Sequence, residues 1–228
     1  MDFSNKNIAI LFEFGEEKVY LTQTMISTWA VMGILIAAAV VVRVMLPKFK
    51  ASPGGFQNII ETIVEMISDF AGGNLGDQHA NYGGIYFSVF LFLIFSNLVG
   101  MFGLRPPTAD LATTAALALI TFILIQIGSI SSLKWGYFKS FIKPYPVFLP
   151  INLIGEISKP LSLAFRLFGN MLGGLIIIGM MYRMLPLLLR FLFPDVLHAY
   201  FDLFAGSLQA FIFTMLSMIF IRQKSTPA

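Results

Sequence analysis

The run ALALITFILIQIG, residues 116–128, contains no charge and does not alternate in polarity, and neither does MGILIAAAVVV, residues 32–42. A membrane β-barrel shows roughly 10-residue segments of alternating polarity, so both stretches read as helix. Several such runs reach about 20 uncharged residues, the length that carries a helix across the roughly 30 Å hydrocarbon layer. The whole chain agrees: of 228 residues, 57% are hydrophobic and 12% charged, against roughly 25% charged in a soluble domain. The sequence predicts an all-α integral membrane protein built as a single polytopic domain.

There is no cysteine, which excludes disulfides, Cys-ligated zinc, iron–sulfur clusters and thiol catalysis. The net charge is +3, but the Lys and Arg residues lie singly between apolar runs, so no nucleic-acid footprint is present. The segment before the first run carries Glu13, Glu16 and Glu17, the opposite of the basic start of a signal peptide.

Spans are expected at about 24–42, 85–104, 111–130, 148–185 and 196–221, with an amphipathic helix at about 56–71. In the latter, Phe56, Ile59, Ile60, Ile63, Ile67 and Phe70 keep helical spacing while Glu61, Glu65 and Asp69 recur every fourth residue, a pattern for lying on the membrane. Arg43, Lys48 and Lys50, then Lys134, Lys139 and Lys143, then Arg222 and Lys224 mark alternate ends of the spans. The positive-inside rule makes those ends cytoplasmic, leaving the N-terminus outside and the C-terminus inside. Pro186 should kink or end the fourth element.

The fourth and fifth elements hold the polar residues. Arg166 near a bilayer centre costs about 2.5–3.5 kcal/mol on insertion scales and must face protein or water. It lies too far from Lys159, roughly 10 Å by helical rise, for simple snorkelling to be the preferred reading. Ser162, Arg166, Gly169, Asn170 and Gly173 share one polar or small face, where the two glycines alone would mean only a helix-packing motif. On the fifth span Asp202, Gly206 and Gln209 share a face, and a carboxylate at that depth is an ion-pair partner or part of a hydrated ion path. His198 reads as interfacial, Glu156 and Lys159 as a solvated pair or the border of an exit path, and Asp110 as a helix cap.

EISKPLSLAFRLFGNMLGG (residues 156–174), GSLQAFIFTMLSMIF (206–220) and GLRPPTADL (103–111) together resemble subunit a of the bacterial F-type, proton- or sodium-translocating ATP synthases. The resemblance implies a stator subunit whose last two helices form a long tilted hairpin against a rotating ring of c subunits. It implies two offset half-channels, the b-subunit peripheral stalk and other synthase subunits as partners, and a multi-pass place in the bacterial plasma membrane. Arg166 matches the family's essential arginine, Asn170 its half-channel asparagine, and Gln209 the glutamine that neighbours the arginine. Ser162, Glu156 and Asp110 match positions that line or border the ion paths. The chain departs from some relatives at Leu175 and Asp202, where those carry Glu and His, and at Ala112, where Asn is frequent. No cofactor is implied beyond the transported ion, H+ or Na+, and ATP chemistry belongs to other subunits.

Other readings are weaker. A stand-alone channel or secondary transporter should show a paired repeat or its own binding site. An intramembrane enzyme should show HExxH or GxSxG, and a voltage sensor needs several arginines.

Overall fold

The computed structural model describes residues 7–14, 17–49, 54–76, 81–142, 145–186, 189 and 193–225. Glu16, Lys50, Lys143 and the centre of the loop before the second span lie outside the described residues.

Among the described residues, five helices have the length and composition to cross a membrane, at 23–48, 83–102, 111–133, 146–184 and 193–224. They are formed by α1 (Gln23–Met45), α3 (Gly83–Leu98), α4 (Leu111–Leu133), α6 (Leu149–Met184), and α7 (Phe193–His198) with α8 (Gly206–Ser225). Two further helices, α2 (Gly55–Leu75) and α5 (Trp135–Ile142), connect them. The chain is an all-α multi-pass membrane protein.

A two-stranded antiparallel hairpin precedes α1, pairing β1 (Asn7–Phe14) with β2 (Glu17–Thr22) from Asn7↔Thr22 to Phe14↔Glu17. The sequence reading did not foresee it.

The outer surface is inverted relative to a soluble protein. Trp29, Ile34, Ile36, Val40 and Val44 of α1 are exposed, while Thr24 and Ser27 are buried. With lipid as solvent, apolar side chains lose nothing by facing outward and polar groups must find partners inside. Buried hydroxyls do so along their own helices: Ser129 donates to the Ile125 carbonyl at 2.7 Å and Ser217 to that of Phe213 at 2.7 Å, a local back-bond suited to Ser and Thr. On α2 the acidic side chains and Phe56, Ile59 and Ile63 are all exposed, as befits a helix with one face for water and one for lipid.

Two helix ends matter for the site. After Leu98 the backbone tightens into a 3-10 turn, Val99–Phe102, and Gly103 at φ +74° then turns the chain; that positive φ suits glycine because it has no Cβ. The second span, 83–102, therefore ends at that turn. In α6, Pro160 sits inside a continuous 36-residue helix. Its missing N–H removes the helical bond to the Glu156 carbonyl, which adds polarity beside that residue. The same helix ends at Met184, just before Pro186.

The chain divides into two compact units, Met1–Leu35 with Leu91–Ala116 and Ala164–Phe211, and Ile36–Phe90 with Leu117–Leu163 and Ile212–Ala228. The second is centred on Ala71, Leu75, Tyr86, Ile125, Met218 and Ile221. In the first, Leu93, Leu167, Met171, Ile178 and Ala210 supply the apolar interior, with Leu93 and Leu167 wholly buried. Each unit contains one polar cluster.

Candidate functional site: a lone arginine and two polar clusters

In the first unit, α6 presents Arg166, Gly169 and Asn170 on its exposed side, with Gly173 half-exposed. A methyl group added at Gly169 or Gly173 would meet nothing within 4 Å. Among the described residues nothing packs on these glycines; they leave a shallow, open strip beside the guanidinium. Arg166 itself is exposed and makes no hydrogen bond, ion pair or ring contact with the described residues. A permanent charge on a membrane-spanning helix with no partner among the described residues calls for one from outside.

One turn along α6, Asn170 Nδ2 donates to Gln209 Oε1 of α8 at 2.9 Å. Gln209 is buried, and its Nε2 is a buried donor without an acceptor among the described residues. The resemblance sets Gln209 beside the arginine; in the structure its bonding partner is Asn170, one turn along α6 from Arg166.

Asp202 lies in a stretch whose winding periodicity did not reveal. Between α7 and α8, residues Ala199–Ala205 form a π-helix, a wider turn with i→i+5 bonds that is frequent at functional sites. It leaves Asp202, Gly206 and Gln209 all buried. Asp202 Oδ2 lies 2.6 Å from His198 Nδ1. His198, read from sequence as interfacial, is thus a direct partner of the buried carboxylate.

The surroundings fix that pair from two sides. A Cβ at Gly100 would fall 2.6 Å from Asp202 Oδ2, and one at Gly206 would fall 2.8 Å from Asn97 Cβ. Only glycine leaves the room. Asn97 is fully buried on α3; its Nδ2 donates to the Gly206 carbonyl at 2.8 Å and its Oδ1 accepts from the Thr108 hydroxyl at 2.7 Å. One amide therefore ties the second span and the Pro107–Ala109 turn to the point where the π-helix ends. Asn97, Thr108 and Gly100 were missed because their partners are distant in sequence; only SNLVG and RPPT marked them as polar or small.

Asp110 follows that turn. Its Oδ1 accepts from the Ala112 amide at 3.2 Å and its carbonyl from the Thr114 amide, the capping arrangement that starts α4.

In the second unit the cluster centres on Glu156. Its carboxylate is buried, and Oε1 accepts from Lys159 Nζ and Lys224 Nζ, each at 2.8 Å. Lys159 also lies over the Phe220 ring at 5.3 Å, and Lys224 over Phe141 at 4.6 Å and Tyr137 at 5.5 Å. A solvated i,i+3 pair is therefore not what forms: the last turn of α8 adds a second cation and closes the carboxylate off. Tyr137 donates to Gln126; burial, and then the neighbouring Glu156 carboxylate, push its phenol up to about 12, so it stays neutral under Lys224. Ser162 is exposed on α6 with no bond to this cluster.

No group of three or more His, Cys, Asp or Glu suited to a metal occurs among the described residues. Among the described residues the polar groups instead form two clusters, each centred on a buried carboxylate, Asp202 or Glu156, and Arg166 makes none of their bonds.

Residues 25–222 match the family described as ATP synthase A chain. The chain belongs to that family. Among curated relatives, it is 39% identical over 219 residues to "ATP synthase subunit a, sodium ion specific" of Propionigenium modestum, covering 89% of this chain and 73% of the relative. It is 33% identical to "ATP synthase subunit a" of Moorella thermoacetica, covering 92% and 93%, and 36% identical to "ATP synthase subunit a 1" of Chlorobium luteolum, covering 93% and 92%. Subunit a is an ion-transporting membrane component of ATP synthase and does not itself carry out ATP chemistry.

Proposed function

We propose that this chain couples ion flow to rotation of a c-subunit ring, with Arg166 as the gate between two half-channels. The observation that carries the reading is Arg166: exposed on a membrane helix, unpartnered among the described residues, on a strip opened by Gly169 and Gly173. Such a strip lets a second helix approach closely, and the missing partner is then a carboxylate carried past by that helix. Asn170, Gln209 and Asp202 supply the polar lining of the outward-opening path, with Asp110 at its border. Glu156 and Ser162 supply the inward-opening one.

The physics follows from the guanidinium. It keeps its proton in proteins, so it cannot relay one as Lys, His or Glu would. Its field favours the ionised form of a carboxylate beside it, which must release its ion there, and it repels cations from a direct route. Each charge that crosses is worth about 2.3 kcal/mol per 100 mV, and that energy becomes rotation only while the short circuit stays closed. The chain acts as one polytopic domain in the bacterial plasma membrane, N-terminus outside and C-terminus cytoplasmic, held by the b-subunit stalk and needing no cofactor.

The test is ATP-driven proton uptake into inverted membrane vesicles, followed with a pH-sensitive dye. The native complex should acidify the lumen. Arg166→Ala should abolish uptake with the catalytic head still bound, and Arg166→Lys should fail too, because an ammonium in a low-dielectric site gives up its proton more readily. Normal pumping by Arg166→Ala would overturn the reading, and flux through the purified chain without a ring would favour a stand-alone channel. The sodium-specific relative supplies a second reading for the ion: uptake of protons only when sodium and a protonophore are both present would make sodium the coupling ion.

A further inference from the structure

The cluster in the second unit holds more cation than carboxylate. Glu156 Oε1 accepts from both Lys159 Nζ and Lys224 Nζ, each at 2.8 Å. One carboxylate cannot neutralise two ammoniums, so positive charge is left in excess. The same ammoniums are also met by rings. Lys159 lies 5.3 Å from the centroid of Phe220, and Lys224 lies 4.6 Å from that of Phe141 and 5.5 Å from that of Tyr137. A cation within about 6 Å of a ring centroid is attracted by the negative π-face. Each lysine therefore has two kinds of partner, a carboxylate oxygen and an aromatic face.

The two lysines are not held alike. Lys159 stands on α6 itself, at i+3 from Glu156, and helix geometry keeps it there. Lys224 reaches the carboxylate from the last turn of α8, on a flexible four-carbon stem. The backbone beneath it is anchored, because Arg222 Nη1 donates to the Gly73 carbonyl of α2 at 2.9 Å. The rings are anchored too: Tyr137 donates to Gln126 of α4, and Asn152 Nδ2 of α6 donates to the Phe141 carbonyl at 2.8 Å. The movable part is the Lys224 side chain, set between a buried carboxylate and two fixed rings.

We infer that Lys224 is a tethered counter-ion of the inward-opening path: its ammonium occupies Glu156 until an entering cation takes its place, and then rests on Phe141 and Tyr137. The inference rests on the reading of Glu156 as part of that path. When the entering cation is a proton, hydronium gives it to the Glu156 carboxylate and becomes water, while Lys224 keeps all of its own protons. When it is sodium, the ion takes the oxygen that the ammonium leaves. A competitor fixed to the chain acts at a high effective concentration. It therefore raises the ion concentration needed to fill the path, and it leaves untouched the steps that follow filling. A mere clamp on the end of α8 would instead change the amount of assembled chain or the maximal rate.

The test is ATP-driven uptake by the whole complex in inverted vesicles, with the concentration of the pumped ion, proton or sodium, varied in the medium on the cytoplasmic face. Chain content of the vesicles controls for assembly, and ATP turnover by detached heads controls for effects of pH on the catalytic side. Lys224→Gln should lower the half-saturating ion concentration by about tenfold, the fold-change equivalent to one charge-assisted bond at the low end of its range, with the maximal rate unchanged. Lys224→Met, which keeps an apolar stem on the rings, should do the same and serves where the Gln variant does not accumulate. Lys224→Arg, which keeps the charge, should stay close to native. Added guanidinium, a cation that carries no proton across the membrane, should raise the half-saturating concentration of Lys224→Gln toward the native value and barely move that of the native complex. An unchanged half-saturating concentration in Lys224→Gln, a fall in maximal rate alone, or an equal response of native and variant to guanidinium would overturn the inference. Arg166→Ala is run alongside: normal uptake there would remove the gate, whereas lost uptake there with a native curve in Lys224→Gln would remove only the counter-ion.

Discussion

A single added methyl decides whether Asp202 can sit where it does. Gly100→Ala would set a carbon 2.6 Å from its carboxylate oxygen, and Gly206→Ala one 2.8 Å from Asn97 Cβ. Neither neighbour is the loose end of a long side chain, and overpacking of this kind costs about 1–3 kcal/mol. Both variants are expected to insert, and the complex to lose thermal stability and pumping together, measured by unfolding midpoint and dye response. Gly169→Ala, where the added carbon meets open space in this chain, should leave that midpoint unchanged in the free subunit. At this scale Arg166, Asn170 and Gln209 were legible, because charge and amides stand out in apolar runs. The partnership of His198 was not, since an imidazole near a helix end has the same local pattern whether or not a carboxylate below it is buried.

At the scale of elements, periodicity gave the spans, since a 20-residue uncharged run has few other homes. It could not give the π-helix at Ala199–Ala205, because one widened turn hardly changes which residues look apolar. Nor could it give the second lysine on Glu156, which comes from 68 positions along the chain at the end of α8. That contact makes an expectation: Glu156→Gln leaves Lys159 and Lys224 without their common carboxylate. Each charge-assisted bond of this type contributes about 1.5–3 kcal/mol, toward the lower end here because both lysines are partly exposed. The last turn of α8 should then exchange its amide hydrogens faster, read by mass spectrometry on the intact complex, while α4 does not change. Equal protection in native and variant would mean that the aromatic contacts of Lys224 alone hold the turn.

Over the whole molecule, composition was enough for class and the three motifs for family, because a membrane protein's hydropathy is imposed by its solvent. The N-terminal hairpin was the exception: strands of eight and six residues carry too short a pattern to stand out beside helices of more than twenty. The open strip on α6 leads to an assembly-level expectation. Gly173→Leu should fold and insert as the native chain does, yet fail to co-purify with a c-ring after detergent extraction; undiminished co-purification would show that the strip faces lipid.

The unpartnered arginine also bears on the life of the protein before it is assembled. A freshly inserted copy carries a cation in hydrocarbon at a cost of about 2.5–3.5 kcal/mol, and nothing described in its own fold neutralises it. On the proposed reading, a copy not yet joined to a ring is the less stable species, held in place by insertion alone, and it differs from an assembled one by a charge without its partner. On the gating role proposed above, the charge that would keep ions from leaking through the finished motor would also mark orphaned copies for removal, linking the abundance of this chain to that of its partner ring.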